Sequence, residues 1–236
     1  MEPQIIFQDD SLMVISKPAG VVTDKAVTNK DKTIQDWVEE NFDHELAKDF
    51  EHRNGIVHRL DKDTSGVLVV AKTVKAYEEL QRQFKDRETG KTYVALVHGK
   101  VSPPSPKAME GVIDAPVGRL PWNRMRFGVY PGGKPAKTKY YVSSIMQHGE
   151  EKFTLLELHP ETGRTHQLRV HLKHIGHPIV SDPFYAGRKT ARNDQKWCPR
   201  LFLHAKSLEF KHPETGEHLK FEAPLPQDLQ NVLTLN

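Results

Sequence analysis

The sequence has little of several features that whole classes of protein require. It contains one cysteine, Cys198, among 236 residues, which excludes an internal disulfide and a zinc site built from several cysteines. Apolar runs stay well short of the roughly 18 residues that a transmembrane helix needs. The first residues also lack the basic and long apolar segments of a secretory signal. These absences predict a cytoplasmic protein with no membrane partner.

Signals for metals and nucleotide cofactors are missing as well. The chain has 13 histidines, but no His-Glu-x-x-His pattern occurs and no cysteine lies near the cluster His166, His171, His174 and His177. We expect these histidines to be solvated or bonded to the backbone. There is also no glycine-rich phosphate loop and no dinucleotide fingerprint. The sequence therefore predicts no metal site and no nucleotide cofactor.

Acidic residues are absent from two long windows, although the net charge of the chain is only +3. Residues 115–149 and residues 162–181 contain no Asp or Glu. A local excess of cations attracts phosphate backbones and releases counterions on binding. One such window alone is more typical of a solvated basic face, but two favour a polyanionic partner. The cations that we predict to bind it are Arg119, Arg124, Arg126, Lys134, Lys137 and Arg169.

The pattern of apolar residues predicts an α+β fold. Residues 66–71 are a continuous apolar run of strand length, typical of a strand buried on both faces. Helices are predicted over residues 33–42, with Thr33 as the N-cap, and over about 74–87. Strands outnumber helices and do not alternate with them regularly. We therefore predict a mixed, mostly antiparallel central sheet with flanking helices and loops, in a single domain over residues 1–236.

Residues 111–141 are rich in glycine and proline and carry most of the first basic window. Glycine and proline favour turns and loops over regular structure. We predict an extended basic loop here that leads into a strand over residues 139–142.

A carboxylate lies just before the buried strand. Residues 58–66 read His-Arg-Leu-Asp-Lys-Asp-Thr-Ser-Gly, with Asp61 at their centre. A carboxylate at the junction of a loop and a strand is held firmly while its oxygens stay reachable. Carboxylates act as nucleophiles in enzymes that break bonds to sugars. Spacing alone leaves open a simpler role for Asp61, as the cap of a turn.

Residues 55–66 resemble the signature of the RluA-type RNA pseudouridine synthases. Further matching segments follow in the order of that family, at residues 17–20, 91–95, 115–119, 133–138, 162–171 and 203–205. The series covers about residues 5–224 and is far more specific than any one segment. The resemblance implies the pseudouridine synthase catalytic fold. It also implies isomerisation of a uridine in structured RNA, either a tRNA or a ribosomal RNA stem-loop, without a cofactor.

The resemblance also implies roles for single residues. Asp61 matches the nucleophile, Tyr93 the tyrosine that packs against the target base, and Arg164 the arginine that pairs with the nucleophile. Arg59 matches a residue that occupies the space left by the flipped nucleotide, and we include its neighbour His58 among the RNA-binding residues. Extruding a base costs roughly a few kcal/mol, which stacking on an aromatic ring partly recovers. The resemblance leaves open whether the first attack falls on the sugar or on the uracil ring.

Many family members carry a small RNA-binding domain ahead of the catalytic one, whereas here the first predicted strand begins at about Ile5. We therefore expect that domain to be lacking, and expect the basic region 115–139 of a monomer to select the RNA. An alternative function is a catalytically idle RNA-binding or RNA-chaperone protein of the same fold. A glycosidase with paired carboxylates is a more distant alternative.

Overall fold

The computed structural model of the chain describes residues 2–25, 31–102 and 109–235. Its strands are β1 Gln4–Gln8, β2 Leu12–Lys17, β3 Ser65–Ala71, β4 Gly90–His98, β5 Glu110–Asp114, β6 Val117–Leu120, β7 Asn123–Val129, β8 Lys137–His148, β9 Glu151–Pro160, β10 Leu203–Lys211 and β11 His218–Glu222. Its α-helices are α1 Ile34–Asn41, α2 Val74–Asp86, α3 Gln167–His174, α4 Arg188–Asp194 and α5 Gln227–Leu233.

The chain divides into two compact units. The first comprises Met1–Lys91 and Ala205–Pro224, and the second comprises Thr92–His204 and Leu225–Asn236. That residues 1–236 act as one catalytic domain stays a prediction.

In the first unit, β1, β2 and β3 pair antiparallel in that order, and β11 pairs antiparallel with β10. All seven residues of β3 are buried, which confirms the strand predicted from the apolar run. Gly66 in β3 has a φ of +125°, and a Cβ added there would lie 2.1 Å from the carbonyl oxygen of Ala205. Only glycine allows this close approach of two strands.

The first predicted helix forms where the capping signal places it. The Thr33 hydroxyl accepts a hydrogen bond from the backbone N–H of Asp36, and the Asp36 carboxylate accepts one from the backbone N–H of Thr33. This reciprocal pair satisfies two donors that a helix start leaves open, so Thr33 is the N-cap of α1. Helix α2 covers its predicted range and ends before Arg87, whose φ is +63°.

In the second unit, β4, β9, β8 and β5 pair antiparallel in that order. The core of this unit is formed by β4, β8 and β9 together with α3 and α5, and its fully buried members include Leu96, Leu156, Leu172, Phe202 and Leu229. Helices α4 and α5 were not predicted, because each is only seven residues long. The predicted α+β class with a mostly antiparallel sheet is confirmed.

The extended loop predicted over residues 111–141 is wrong. The structure has β5, β6, β7 and the start of β8 in this region, and β6 and β7 form a separate two-stranded ribbon. Gly118 and Gly128 face each other in the ribbon. Added Cβ atoms would come within 2.9 Å of the Tyr130 ring and 2.7 Å of the Leu120 side chain, respectively. These glycines therefore make room for neighbouring side chains within a hairpin.

Candidate active site

Asp61 lies in a loop that leads into β3, as the sequence predicted. The backbone N–H of Thr64 donates to the Asp61 carbonyl at 3.1 Å, which closes a turn over residues 61–64. Thr64 and Ser65 are buried, whereas Asp61 is half-buried. The turn thus leaves the carboxylate partly accessible at the edge of a buried strand.

The main chain on both sides of Asp61 is bound by the segment that follows β2. The Thr23 hydroxyl donates to the Leu60 carbonyl at 2.8 Å, and its oxygen accepts from the Leu60 N–H at 3.3 Å. On the other side, the N–H of Gly20 donates to the Lys62 carbonyl at 2.8 Å. Hydrogen bonds before and after one residue restrict its backbone, so they hold Asp61 in place.

Lys17, the last residue of β2, adds a buried positive charge to this arrangement. Its side chain is fully buried, and its Nζ donates to the carbonyls of Pro18, Val21 and Lys62 at 2.8, 2.7 and 3.1 Å. A buried ammonium is tolerated when carbonyl oxygens replace its water. Sequence reasoning missed this role, although a lysine that ends a strand directly before Pro-Ala-Gly was a usable signal.

Arg59 is exposed beside the loop, as its predicted contact with RNA requires. One guanidinium nitrogen lies 3.3 Å from the Asp24 carboxylate, which also pairs with Arg53. The Arg59 side chain is 60% exposed. Exposed ion pairs contribute about 0–1 kcal/mol, so Arg59 can exchange Asp24 for a nucleotide at little cost.

His58 is half-buried and packs against α2, and its predicted contact with RNA stays a prediction. Its ring stacks on Phe84 at 4.6 Å between centroids, and its Nε2 accepts the backbone N–H of Val69 at 3.1 Å. Burial lowers the pKa of His58 to about 3, and the nearby charges of Lys91 and Arg53 act in the same direction. His58 is therefore neutral near pH 7 and offers no charge to a phosphate.

Tyr93 lies in β4, where it faces Leu158 of β9 in the strand register. It is half-buried and packs against the core of the second unit. A tyrosine held by a strand on one side and partly accessible on the other can present its ring to a planar ligand. Its role against the target base stays a prediction.

The Arg164 segment is organised by Gln167 at the start of α3. The side-chain oxygen Oε1 of Gln167 accepts from the backbone N–H of Arg164 at 3.0 Å and from the Thr162 hydroxyl at 2.7 Å. Its amide nitrogen donates to the Lys137 carbonyl at 3.0 Å. The Arg164 guanidinium donates from Nε to the Pro135 carbonyl at 3.2 Å. These bonds connect the Arg164 segment to the start of β8.

A buried histidine extends this network. The Gln167 amide also donates to the Thr138 hydroxyl at 3.0 Å, and that hydroxyl lies 2.9 Å from Nδ1 of His171. Nε2 of His171 lies 2.9 Å from the Ala115 carbonyl, which can only accept, so Nε2 carries the proton. Burial lowers the pKa of His171 and favours this neutral form. His171 is thus bonded to the backbone, as the sequence predicted for this group of histidines.

The three predicted catalytic residues belong to different units. Asp61 is part of the first unit, whereas Tyr93 and Arg164 are part of the second. That Arg164 pairs with Asp61 stays a prediction, as does the grouping of all three residues around a uridine.

Most of the predicted RNA-binding cations are accessible. Arg124, Arg126 and Lys134 are exposed on and after the β6–β7 hairpin. Lys137 is partly exposed and pairs with Glu161 at 3.2 Å. Arg119 is exposed, but its guanidinium donates to the Arg124 carbonyl at 2.6 Å and therefore also supports the hairpin.

Arg169 is wrong as an RNA-binding residue. It is buried on α3, and its guanidinium donates to both carboxylate oxygens of Asp182 at 2.8 and 2.9 Å. The guanidinium also lies over the rings of Tyr185 and Phe184, at 5.1 and 5.6 Å from their centroids. Arg169 was predicted to be a surface cation because the window 162–181 contains no acidic partner for it. Its partner Asp182 is the first residue after that window.

The described part of the chain has no cluster of metal-ligating side chains and no helix that could span a membrane. Residues 2–25, 31–102 and 109–235 contain no group of three or more His, Cys, Asp or Glu placed to hold a metal ion. The helices within these ranges are all too short or too polar to cross a bilayer.

The chain is similar to proteins of one family. The model of the RNA pseudouridylate synthase family matches residues 11–174. The ribosomal large subunit pseudouridine synthase D of Nitrosomonas europaea is 44% identical over 98% of this chain and 64% of its own length. The protein of the same name from Pseudomonas aeruginosa is 39% identical over all of this chain and 72% of its own length. This chain thus spans about two thirds of these relatives.

A solved structure of a pseudouridylate synthase domain is also similar to this chain. Human RNA pseudouridylate synthase domain containing 1 aligns with a TM-score of 0.74 and 27% sequence identity, over 95% of this chain and 84% of the human one.

Proposed function

The chain belongs to the RNA pseudouridylate synthase family, and from this premise we propose that it converts a uridine of structured RNA to pseudouridine, with Asp61 as the nucleophile. The observation that carries the proposal is the Asp61 loop. It holds a half-buried carboxylate by main-chain hydrogen bonds on both sides, next to a fully buried strand. Such support suits a group that must attack one atom.

The reaction requires no change in composition. The bond between N1 of uracil and C1′ of ribose breaks, and a bond between C5 and C1′ forms. The proton on C5 is lost, and N1 of the released ring gains one. The bond that Asp61 forms to the nucleotide breaks again before the product leaves, which returns the carboxylate. Atoms and electrons therefore balance without an oxidant, a reductant or a group donor. The chemistry needs a nucleophile, groups that hold the uracil ring and a base that takes the proton from C5, a part in which we propose that Tyr93 assists.

We propose that Tyr93 holds the uracil base and that Arg164 holds the nucleophile. The half-buried ring of Tyr93 offers an aromatic surface to the extruded uracil. Arg164 already has its backbone fixed by Gln167 and its Nε bound to a carbonyl, which leaves its other guanidinium nitrogens for a carboxylate. Exposed Arg59 enters the space that the uridine leaves.

We propose large-subunit ribosomal RNA as the substrate in preference to tRNA. Relatives that are 44% and 39% identical carry the name ribosomal large subunit pseudouridine synthase D. The acid-free window 115–149 supplies exposed cations for a folded RNA of this kind.

The test is to map pseudouridine in total RNA from cells with and without this protein. We expect one or more sites in large-subunit ribosomal RNA to disappear in the deletion and to return with the wild-type gene. Loss of sites only in tRNA would contradict the proposed ribosomal RNA substrate but would still support pseudouridine synthase activity. If no site disappears, the idle RNA-binding alternative is favoured.

The nucleophile is tested by Asp61→Asn, with Asp63→Asn as the matched control. Both changes remove one carboxylate from the same loop and keep its size. Because loss of a covalent nucleophile removes a catalytic step, we expect Asp61→Asn to lower pseudouridine formation by at least about 10⁴-fold. Asp63→Asn should stay within about tenfold of the wild type. Full activity of Asp61→Asn would show that another group attacks.

A further inference from the structure

The tip of the β6–β7 hairpin has an unusual shape. Pro121 and Trp122 form a two-residue turn between Leu120 and Asn123, which pair with each other. The next pair is Arg119 with Phe127. Between these two pairs β6 has no extra residue, whereas β7 has three, residues 124–126. Residues 124–126 therefore bulge out of the ribbon. We call residues 121–126 the hairpin tip.

The bulge is held in place from below. The Arg119 guanidinium donates to the Arg124 carbonyl at 2.6 Å and lies over the Phe127 ring at 5.0 Å. The Asn123 side chain accepts the backbone N–H of Met125 at 3.3 Å. Phe127 in turn packs against the buried cluster of Val117, Ala136, Val170 and Tyr185. The hairpin tip therefore projects into solvent, and contacts to Arg119, Asn123 and the cluster around Phe127 fix its shape.

The hairpin tip carries the two most exposed large apolar side chains of the described residues. Trp122 is 74% exposed and Met125 is 83% exposed. The Trp122 ring has the edge of Tyr130 beside it, at 6.3 Å between centroids. Exposed apolar groups that are concentrated at one projection indicate a binding surface.

The charge around these side chains indicates what they bind. Arg124 and Arg126 flank Met125 and are exposed, and no acidic residue occurs from 115 to 149. An exposed aromatic ring close in sequence to two cations fits a single-stranded nucleic acid, which offers flat bases between phosphates. Base-paired RNA hides its base faces, so the bases in question are unpaired.

We propose that Trp122 stacks on an unpaired base of the substrate RNA, with Met125 beside it and with Arg124 and Arg126 on the adjacent phosphates. This inference rests on the proposed function and adds to it a class of substrate. The RNA must have unpaired nucleotides that reach the hairpin tip, so a loop or a bulge is recognised and a continuous duplex is not.

The first test uses the fluorescence of Trp122. The emission of the wild type and of Trp122→Phe is titrated with polyuridylic acid, with heparin and with polyglutamate, and the difference between the two proteins isolates Trp122. We expect polyuridylic acid to quench this difference signal and heparin, an anion without bases, to leave it unchanged. Equal quenching by heparin, or none by polyuridylic acid, would overturn the stacking. Tighter binding of polyglutamate than of polyuridylic acid would overturn it in favour of an acidic protein.

The second test measures affinity for polyuridylic acid in Trp122→Ala, Trp122→Phe and the control Phe50→Ala. Phe50 is 58% exposed and has the Lys25 ammonium over its ring at 4.7 Å, so it is also an exposed aromatic beside a cation. Stacking on an aromatic side chain accounts for about five- to 150-fold in affinity. We expect that loss in Trp122→Ala, near wild-type affinity in Trp122→Phe, and no change in Phe50→Ala. Equal losses in Trp122→Ala and Phe50→Ala would overturn the inference.

Pseudouridine formation in ribosomal RNA from a deletion strain separates this inference from the proposed function. We expect Trp122→Ala to raise KM and to leave kcat within about threefold, because it removes a binding contact. An unchanged KM would overturn the role of the tip and leave the enzyme intact. If the wild-type protein modifies no RNA, the proposed function fails, whatever the titrations show.

Discussion

The Asp61 loop and the hairpin tip are both irregular segments, but the chain supports them in opposite ways. The Asp61 loop is bonded through its main chain to the segment after β2, and a fully buried lysine joins the two. The hairpin tip is tied chiefly by one guanidinium, and its large side chains face solvent. A nucleophile has to be held within about 0.5 Å of its target, whereas a group that stacks on RNA has to be accessible.

This contrast separates stability from binding. Changes beneath the Asp61 loop remove buried hydrogen bonds and should lower the free energy of unfolding. Changes at the hairpin tip remove exposed groups and should alter the affinity for RNA while leaving the free energy of unfolding nearly constant.

The largest effect should come from Lys17→Met. Methionine has a similar length, but it leaves the carbonyls of Pro18, Val21 and Lys62 without the ammonium that they bind. The Lys62 carbonyl keeps the Gly20 N–H, whereas those of Pro18 and Val21 lose this partner. Hydrogen bonds to a charged group contribute about 1.5–3 kcal/mol each, so we expect a loss of about 3–5 kcal/mol. Urea denaturation should show this loss. In the same loop, Lys62→Met should cost less than about 1 kcal/mol, because Lys62 pairs with Asp31 at the exposed surface.

Equal destabilisation by the two lysine changes would contradict the proposed support of the loop. It would mean that the buried ammonium contributes no more than an exposed one.

A smaller loss is expected from Gln167→Leu. The change removes the acceptor for the Arg164 N–H and the Thr162 hydroxyl, together with the donor to the Lys137 carbonyl. We expect the free energy of unfolding to fall by about 2–3 kcal/mol, and pseudouridine formation to fall as Arg164 loses its position. Gln147→Leu is the control, since Gln147 is exposed and donates only to the nearby Gly149 carbonyl. Unchanged activity in a folded Gln167→Leu protein would contradict the positioning of Arg164 by Gln167.

The next prediction concerns pH and His58. The folded protein holds the pKa of His58 near 3, against about 6.5 in the unfolded chain. Between these values the unfolded chain binds a proton that the folded protein excludes. The contribution of neutral His58 to stability is therefore complete above pH 6.5 and is lost as the pH falls towards 3.

His58→Gln keeps an acceptor for the Val69 N–H and cannot titrate. From pH 6.5 to pH 4.5, the wild type should lose up to about 1.4 kcal/mol per pH unit more than this variant. Urea denaturation at a series of pH values measures the difference. Parallel pH profiles for the two proteins would show that His58 does not titrate with an altered pKa.

Features that depend on neighbours in the sequence could be predicted, whereas features that depend on tertiary contacts could not. The strand β3 and the Thr33 cap follow from local signals, namely an apolar run and a threonine three residues before an acid. The position of Asp61 follows from the resemblance and from its place before that strand. These features depend on neighbours in the sequence, and the structure has them where they were predicted.

The wrong predictions concern residues whose contact partners cannot be identified from the sequence pattern. Arg169 was taken for a surface cation because its partner Asp182 comes from outside the acid-free window. The glycines of the hairpin were taken for loop residues, although Gly118 makes room for the ring of Tyr130. In each case a tertiary contact decided the role of the residue.

The smallest effect on unfolding should come from replacing Arg124 and Arg126 together with alanine. Both side chains are exposed, so the free energy of unfolding should change by less than about 0.5 kcal/mol. Binding to single-stranded RNA should weaken, and the slope of log affinity against log salt should become shallower by about 1.4, since each phosphate contact contributes about 0.7. The control is the double alanine change at Arg188 and Arg192, which removes the same charge from the exposed side of α4. If both double variants flatten the slope equally, overall charge attracts the RNA and the hairpin tip has no special part in binding it.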